Sequence, residues 1–223
     1  MNFLSFVGIV LIAIFGVSVW NHHQVLGNFS VVYLLVMFFL SLNMIICLWE
    51  MCLFARIDLI AQKNEEYRKR FPGDKNRPVL DFIFSRVTLA NVLSPDYWCD
   101  VWATYSLFDG SYADKRTLGF NLDVGNGFWT LIPCLILHLG FTYHFLPANV
   151  IGIIALCFFY QVTYCTGVYW FAFFNVGRQH QNSSNENLIY IWGTICPWFI
   201  FGIIGLYAAV RLILDNSWAV FGN

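Results

Sequence analysis

Five long stretches of this chain run almost without charge, each close to the roughly 20 apolar residues that a bilayer-crossing helix needs. They cover residues 2–20, 31–54, 120–146, 150–174 and 188–214. Hydrocarbon offers no partners to open backbone N–H and C=O groups, so a lipid-facing segment of this kind must satisfy them within itself, as a helix. The expectation is an all-α integral membrane protein, a five-transmembrane-helix bundle forming a single membrane domain over residues 1–223. Composition agrees: 59% of residues are hydrophobic and 11% charged, against about 25% charged in soluble domains. That composition excludes a secreted disulfide scaffold, a disordered chain and a nucleic-acid binder, and a net charge of -1 gives no general attraction to polyanions. Residues 2–20 have no basic stretch ahead of their apolar core, so they read as a retained span rather than a cleaved signal peptide.

The segments between the spans set the expected topology. Residues 55–118 hold ten of the twelve basic residues, Arg56, Lys63, Arg68, Lys69, Arg70, Lys75, Arg77, Arg86, Lys115 and Arg116. Positive charge stays inside, so this segment and the amino terminus are expected in the cytoplasm and the carboxyl terminus on the far side. Within it, residues 59–70 read as a charged helix broken by Phe71, Pro72 and Gly73. Residues 79–93 are apolar enough to lie on the membrane or on the bundle. Ser94, Pro95 and Asp96 read as the cap and first turn of a second amphipathic helix over 97–108, with Trp98, Trp102 and Tyr105 suited to an interface. Pro147, Ala148 and Asn149 leave almost no slack between spans three and four, which must be antiparallel neighbours.

Ionisable groups inside spans cost several kcal/mol unless they face protein or water. Glu50 lies about one turn from the cytoplasmic end of span two, and Asp123 about one turn into span three from the same side. Two antiparallel helices therefore bring two carboxyl groups to a similar depth. Asn126 follows Asp123 on the same helix face, and Asn43 lies two turns above Glu50. Trp49, Tyr164, Thr166, Trp192 and Trp198 complete an expected aromatic-lined cavity with two acids in its wall. Blander readings stand beside this one: Glu50 reaching the interface, Asp123 capping a span that starts later, and aromatics that only pack. His138 reads as a hydrogen-bonding core histidine. No His/Glu cluster has metal-ligand spacing, and the seven cysteines, none in C-x-x-C spacing, read as small buried hydrophobes.

Trp102, Tyr105, Ser106, Asp109, Ser111 and Tyr112 stand in the spacing W-x-x-Y-[AS]-x-x-D-x-[RS]-Y, with Asp123 and then Pro133 downstream. This stretch resembles the emopamil-binding protein family of the EXPERA group, which includes sterol isomerases and the sigma-2 receptor. Glu50 with Asp58 and Leu59, Tyr164 with Tyr169, and Trp192 with Trp198 are similar to that family's positions on spans two, four and five. The resemblance covers roughly residues 41–209. It implies five spans around a sterol-sized cavity that takes a membrane lipid or sterol-like small molecule. In active members a carboxyl group protonates a ring alkene, aromatic faces hold the carbocation, and a second group removes a proton one carbon away. No cofactor is needed. Glu50 and Asp123 would be the proton shuttles.

The pattern departs from active isomerases at four places: Ile46 stands where they carry His, Asp123 is shorter than their acid, Asn126 replaces a Thr and Ile195 an Asn. The insertion before Trp102 is also longer. A non-catalytic lipid-binding protein, or a subunit of a homodimer or larger membrane complex, is thus the alternative expectation. A membrane terpene cyclase, suggested by the run from Asn43 to Glu50, leaves the Trp102–Asp123 pattern without a place. The endoplasmic reticulum is the expected membrane in a eukaryote, an inner membrane otherwise.

Overall fold

The computed structural model describes residues 1–28 and 30–222. Among the described residues the helices are α1 Phe3–Leu26, α2 Val31–Ala55, α3 Ile57–Arg70, α4 Asn76–Ile83, α5 Leu89–Val92, α6 Pro95–Tyr105, α7 Leu118–Tyr143, α8 Ala148–Asn175 and α9 Ser184–Asp215, with short 3-10 turns between some of them. Five of them, α1, α2, α7, α8 and α9, are long and apolar enough to cross a membrane. No strand forms among the described residues; one isolated antiparallel bridge pairs Asn2 with Arg86.

Several ends differ from the hydropathy reading, for local reasons. α9 starts a turn earlier than residue 188, because Ser183 and Glu186 close a reciprocal capping box at its N-terminus. Its next turn, Asn187–Trp192, is a wide π-type turn, and the interior Pro197 follows. α7 starts at Leu118, so Asn121, Asp123 and Asn126 lie inside it. It stops at Tyr143, where His144 takes a left-handed φ of 51°. Residues 79–93 are not continuous: α4 and α5 are separated at 84–88, and Thr88 caps α5 through a reciprocal pair with Asn91. Pro95 sits in the first turn of α6, where its missing N–H leaves no bond unmade.

The chain sorts into two compact units. One comprises Met1–Ile9, Cys47–Phe128 and Val168–Thr194. Here the face of α3 made by Ile60, Lys63, Asn64, Tyr67 and Arg68, spaced three and four apart, lies on α6. Ile60 is buried, Asn64 donates to Ser106 Oγ at 2.7 Å, and Tyr67 and Lys63 bond the two oxygens of Asp100 at 2.6 and 2.9 Å. Burial, with Asp100 adjacent, raises the Tyr67 pKa, so the phenol stays a donor. Phe3, Phe82 and Trp98 form an aromatic cluster with Trp49, whose carbonyl accepts from Trp102 Nε1 at 2.7 Å.

The other unit comprises Val10–Ile46, Trp129–Gly167 and Ile195–Asn223. Its core holds Tyr33, Phe39, Phe141 and Phe159. Glycines set the α8–α9 spacing: side chains at Gly202 and Gly205 would collide with Thr163 and the Phe159 ring. His138 on α7 bridges α1 and α2, with Nε2 3.1 Å from Ser18 Oγ and 3.2 Å from Ser41 Oγ. Both serines already donate to their own helices, to Ile14 O and Met37 O. A hydroxyl has one proton, so Nε2–H is the donor to both.

Candidate functional site

The sequence-derived acids meet in the first unit, and a glycine makes the meeting possible. Gly127 on α7 faces α2 without a side chain; a methyl group there would stand 2.7 Å from Glu50 Cβ and 3.0 Å from the Cys47 carbonyl oxygen. The two backbones therefore touch. At that contact the neighbouring Asn126 amide donates to both Glu50 carboxylate oxygens, at 2.7 and 3.0 Å. Glu50 is buried, so this pairing replaces water that the carboxyl group has lost.

Asp123 lies one turn before Asn126 on α7. The Tyr112 hydroxyl donates toward it, and Asp109 and Glu50 are within electrostatic reach. Tyr112 is positioned by Trp102 and Tyr105, with ring centroids at 5.0 and 5.1 Å. Burial first, then the surrounding acids, push its pKa well above the usual tyrosine value, so it remains a neutral donor. Burial does the same to Tyr105, whose hydroxyl lies 3.3 Å from Thr194 Oγ.

Asp109 anchors this loop. It is fully buried and accepts from Tyr169 Oη at 2.6 Å, Arg178 Nη1 at 2.6 Å and its own loop at Ser111 N, 3.0 Å. The Arg178 side chain is 13% exposed, so the ion pair is largely out of water and depends on these added bonds. Gly119 lets the loop close on α7, since any side chain there would meet Ser111 Oγ.

Trp49 stacks with Phe3 and Trp98. Trp192 packs on Trp170 and Phe174, at 5.2 and 5.6 Å. In the second unit Asn43 is buried, Thr166 returns its hydroxyl to Val162 O at 2.7 Å, and Trp198 meets Phe39 edge-on at 5.8 Å. Tyr164 is 59% exposed and stacks on Tyr160 at the surface of α8. The structure thus brings together Glu50, Asp123 and Asn126, and adds Tyr112, Asp109, Tyr169 and Arg178. Asp109 and Tyr112 belong to the motif spacing, and Tyr169 to the resemblance on span four. Nothing in the sequence points to Arg178.

Chemically, the group offers two carboxyls, a fixed amide and a neutral phenol against aromatic faces. That set can donate and accept protons at neighbouring points. Among the described residues no three His, Cys, Asp or Glu side chains could share a metal ion. No protein-family model, curated protein or solved structure matches the chain.

Proposed function

We propose that this chain is an EXPERA-like membrane protein that takes a sterol-like polycyclic lipid against the Glu50–Asp123–Asn126 group. The observation that carries the reading is the convergence of two acids from α2 and α7, one of them buried on an amide. A membrane protein keeps ionisable groups at such positions at a cost, and function is the usual return. In the catalytic form, one carboxyl protonates a ring double bond and the aromatic faces of Tyr105 and Tyr112 attend the carbocation. The second carboxyl then removes a proton one carbon away, so the double bond moves and no net proton is consumed. Residues 55–118 would face the cytoplasm, by their ten basic residues, and in a eukaryote the membrane would be that of the endoplasmic reticulum.

One observation favours a second, non-catalytic reading. Ile46 stands one turn before Glu50, where the resemblance expects histidine, and isoleucine neither gives nor accepts a proton. The chain would then bind the lipid without turning it over. Expression in a yeast strain lacking its own sterol isomerase separates the two. Rescue by the unmodified chain, lost in Glu50→Gln, supports the enzyme. No rescue by the unmodified chain, but rescue by Ile46→His, supports a binder one residue away from an enzyme. No rescue by either removes the isomerase reading.

A further inference from the structure

Residues 76–93 carry apolar side chains that stand exposed among the described residues. Phe84 is 60% exposed, Leu89 77% and Leu93 76%, and Leu80 on α4 is also open. The segment is two-faced: Pro78 and Phe82 on α4 are buried, and Phe82 packs on Phe3 at a centroid distance of 4.4 Å. Leu89 and Leu93 stand four apart across α5 and its cap, so they share one side. Exposed apolar residues gathered this way in one short segment mark a docking surface rather than scatter.

The backbone identifies what docks there. Phe3 N–H donates to Ser85 O at 3.0 Å and Val87 N–H to Met1 O at 2.9 Å, and Asn2 bridges to Arg86. The stretch between α4 and α5 is therefore stitched to the first turn of α1, a helix long and apolar enough to cross a bilayer. The end of such a helix lies at the membrane–water boundary, and whatever is bonded to it lies there too. Ser85 Oγ and the Tyr97 hydroxyl are 3.0 Å apart beside this stretch, and Trp98 packs on Phe3 and Phe6. Tyr and Trp are the aromatics that prefer that depth. Arg86 is exposed and makes no ion pair among the described residues, which suits a lipid phosphate.

We infer that residues 76–93 form an in-plane membrane anchor, with Phe84, Leu89 and Leu93 in the upper acyl region of the lipid and Arg86 at phosphate depth. Its occupant is the lipid leaflet, not a second copy or a protein partner. The anchor is independent of the acid site and rests only on α1 crossing the membrane. It would hold the segment that links α3 to α6 against the bilayer, as interfacial amphipathic helices do.

The test places p-benzoylphenylalanine at Phe84, at Leu89 and at Leu93 in turn, in full-length protein reconstituted into phosphatidylcholine nanodiscs. Trp129, an exposed residue of α7, serves as the lipid-facing control and Glu65, exposed on α3, as the water-facing one. After irradiation, intact-mass spectrometry reads the adducts. Phospholipid adducts at all three positions in yields comparable to Trp129, with Glu65 at background, are the expected result. Cross-linked dimers in place of lipid adducts would overturn the anchor in favour of self-association. Yields at the Glu65 level while Trp129 still captures lipid would overturn it outright.

Discussion

Adding one methyl group at Gly127 should part α2 from α7 and loosen Asn126 from Glu50. Carbon contacts rest at about 3.5–4.0 Å, whereas this methyl would find Glu50 Cβ at 2.7 Å and the Cys47 carbonyl at 3.0 Å. The helices must therefore separate by on the order of 1 Å. That carries the Asn126–Glu50 bonds from 2.7 and 3.0 Å past the roughly 3.2 Å limit of useful geometry. Overpacking costs about 1–3 kcal/mol, and weakening a bond to a buried carboxyl up to about 1.5–3 more. Alanine in place of glycine inside a helix returns about 1, leaving a net loss of about 1.5–5 kcal/mol for Gly127→Ala. Gly125, two residues earlier, has nothing within 4 Å of the same methyl position, so Gly125→Ala should gain up to about 1 kcal/mol. Equilibrium unfolding in mixed micelles compares the two, and repeating Gly127→Ala in an Asn126→Leu background should shrink its cost. Equal stability of the two glycine variants would refute the close α2–α7 contact.

Arg178→Met leaves Asp109 buried without its cation and should cost about 3–5 kcal/mol, and Asp109→Asn added to it should recover part of that in the same unfolding assay. His138→Leu removes the donor shared by Ser18 and Ser41 and should cost about 1 kcal/mol, with His138→Gln, which keeps a donor, falling between the two. Burial raises the pKa of Tyr67, Tyr105 and Tyr112 in the fold. Their contribution is complete below the unfolded tyrosine value of about 10 and is lost as pH rises beyond it. Melting temperature in detergent should hold up to about pH 10 and fall above it; a flat profile to pH 12 would contradict the burial of these phenols.

The spans were legible because length and apolar composition suffice to specify a crossing helix, whatever it packs against. Their ends were less so. Hydropathy stops at the first polar residue, while α9 begins with the polar pair Ser183 and Glu186 and α7 ends on the backbone turn at His144. Within the site, Asp123 and Asn126 could be placed on one face from their three-residue spacing, and Glu50 at the same depth from its distance to the span end. Gly127 could not be found, because its role is the absence of a side chain. Arg178 stands 69 residues from Asp109, and no local pattern links them. Tyr164 shows the other limit: a helix apolar on all sides leaves no stripe from which to read which residues turn inward.

The proposed function requires that the Glu50–Asp123–Asn126 group touch a lipid. Native mass spectrometry of protein purified from a sterol-producing host, followed by extraction and identification of what is bound, asks this directly. The expected result is one polycyclic lipid per chain in the unmodified protein, with occupancy sharply reduced in Asn126→Leu and altered lipid selection in Glu50→Gln. A chain that carries no such lipid, or variants that carry it at unchanged occupancy, would contradict the assignment of these residues to a lipid site.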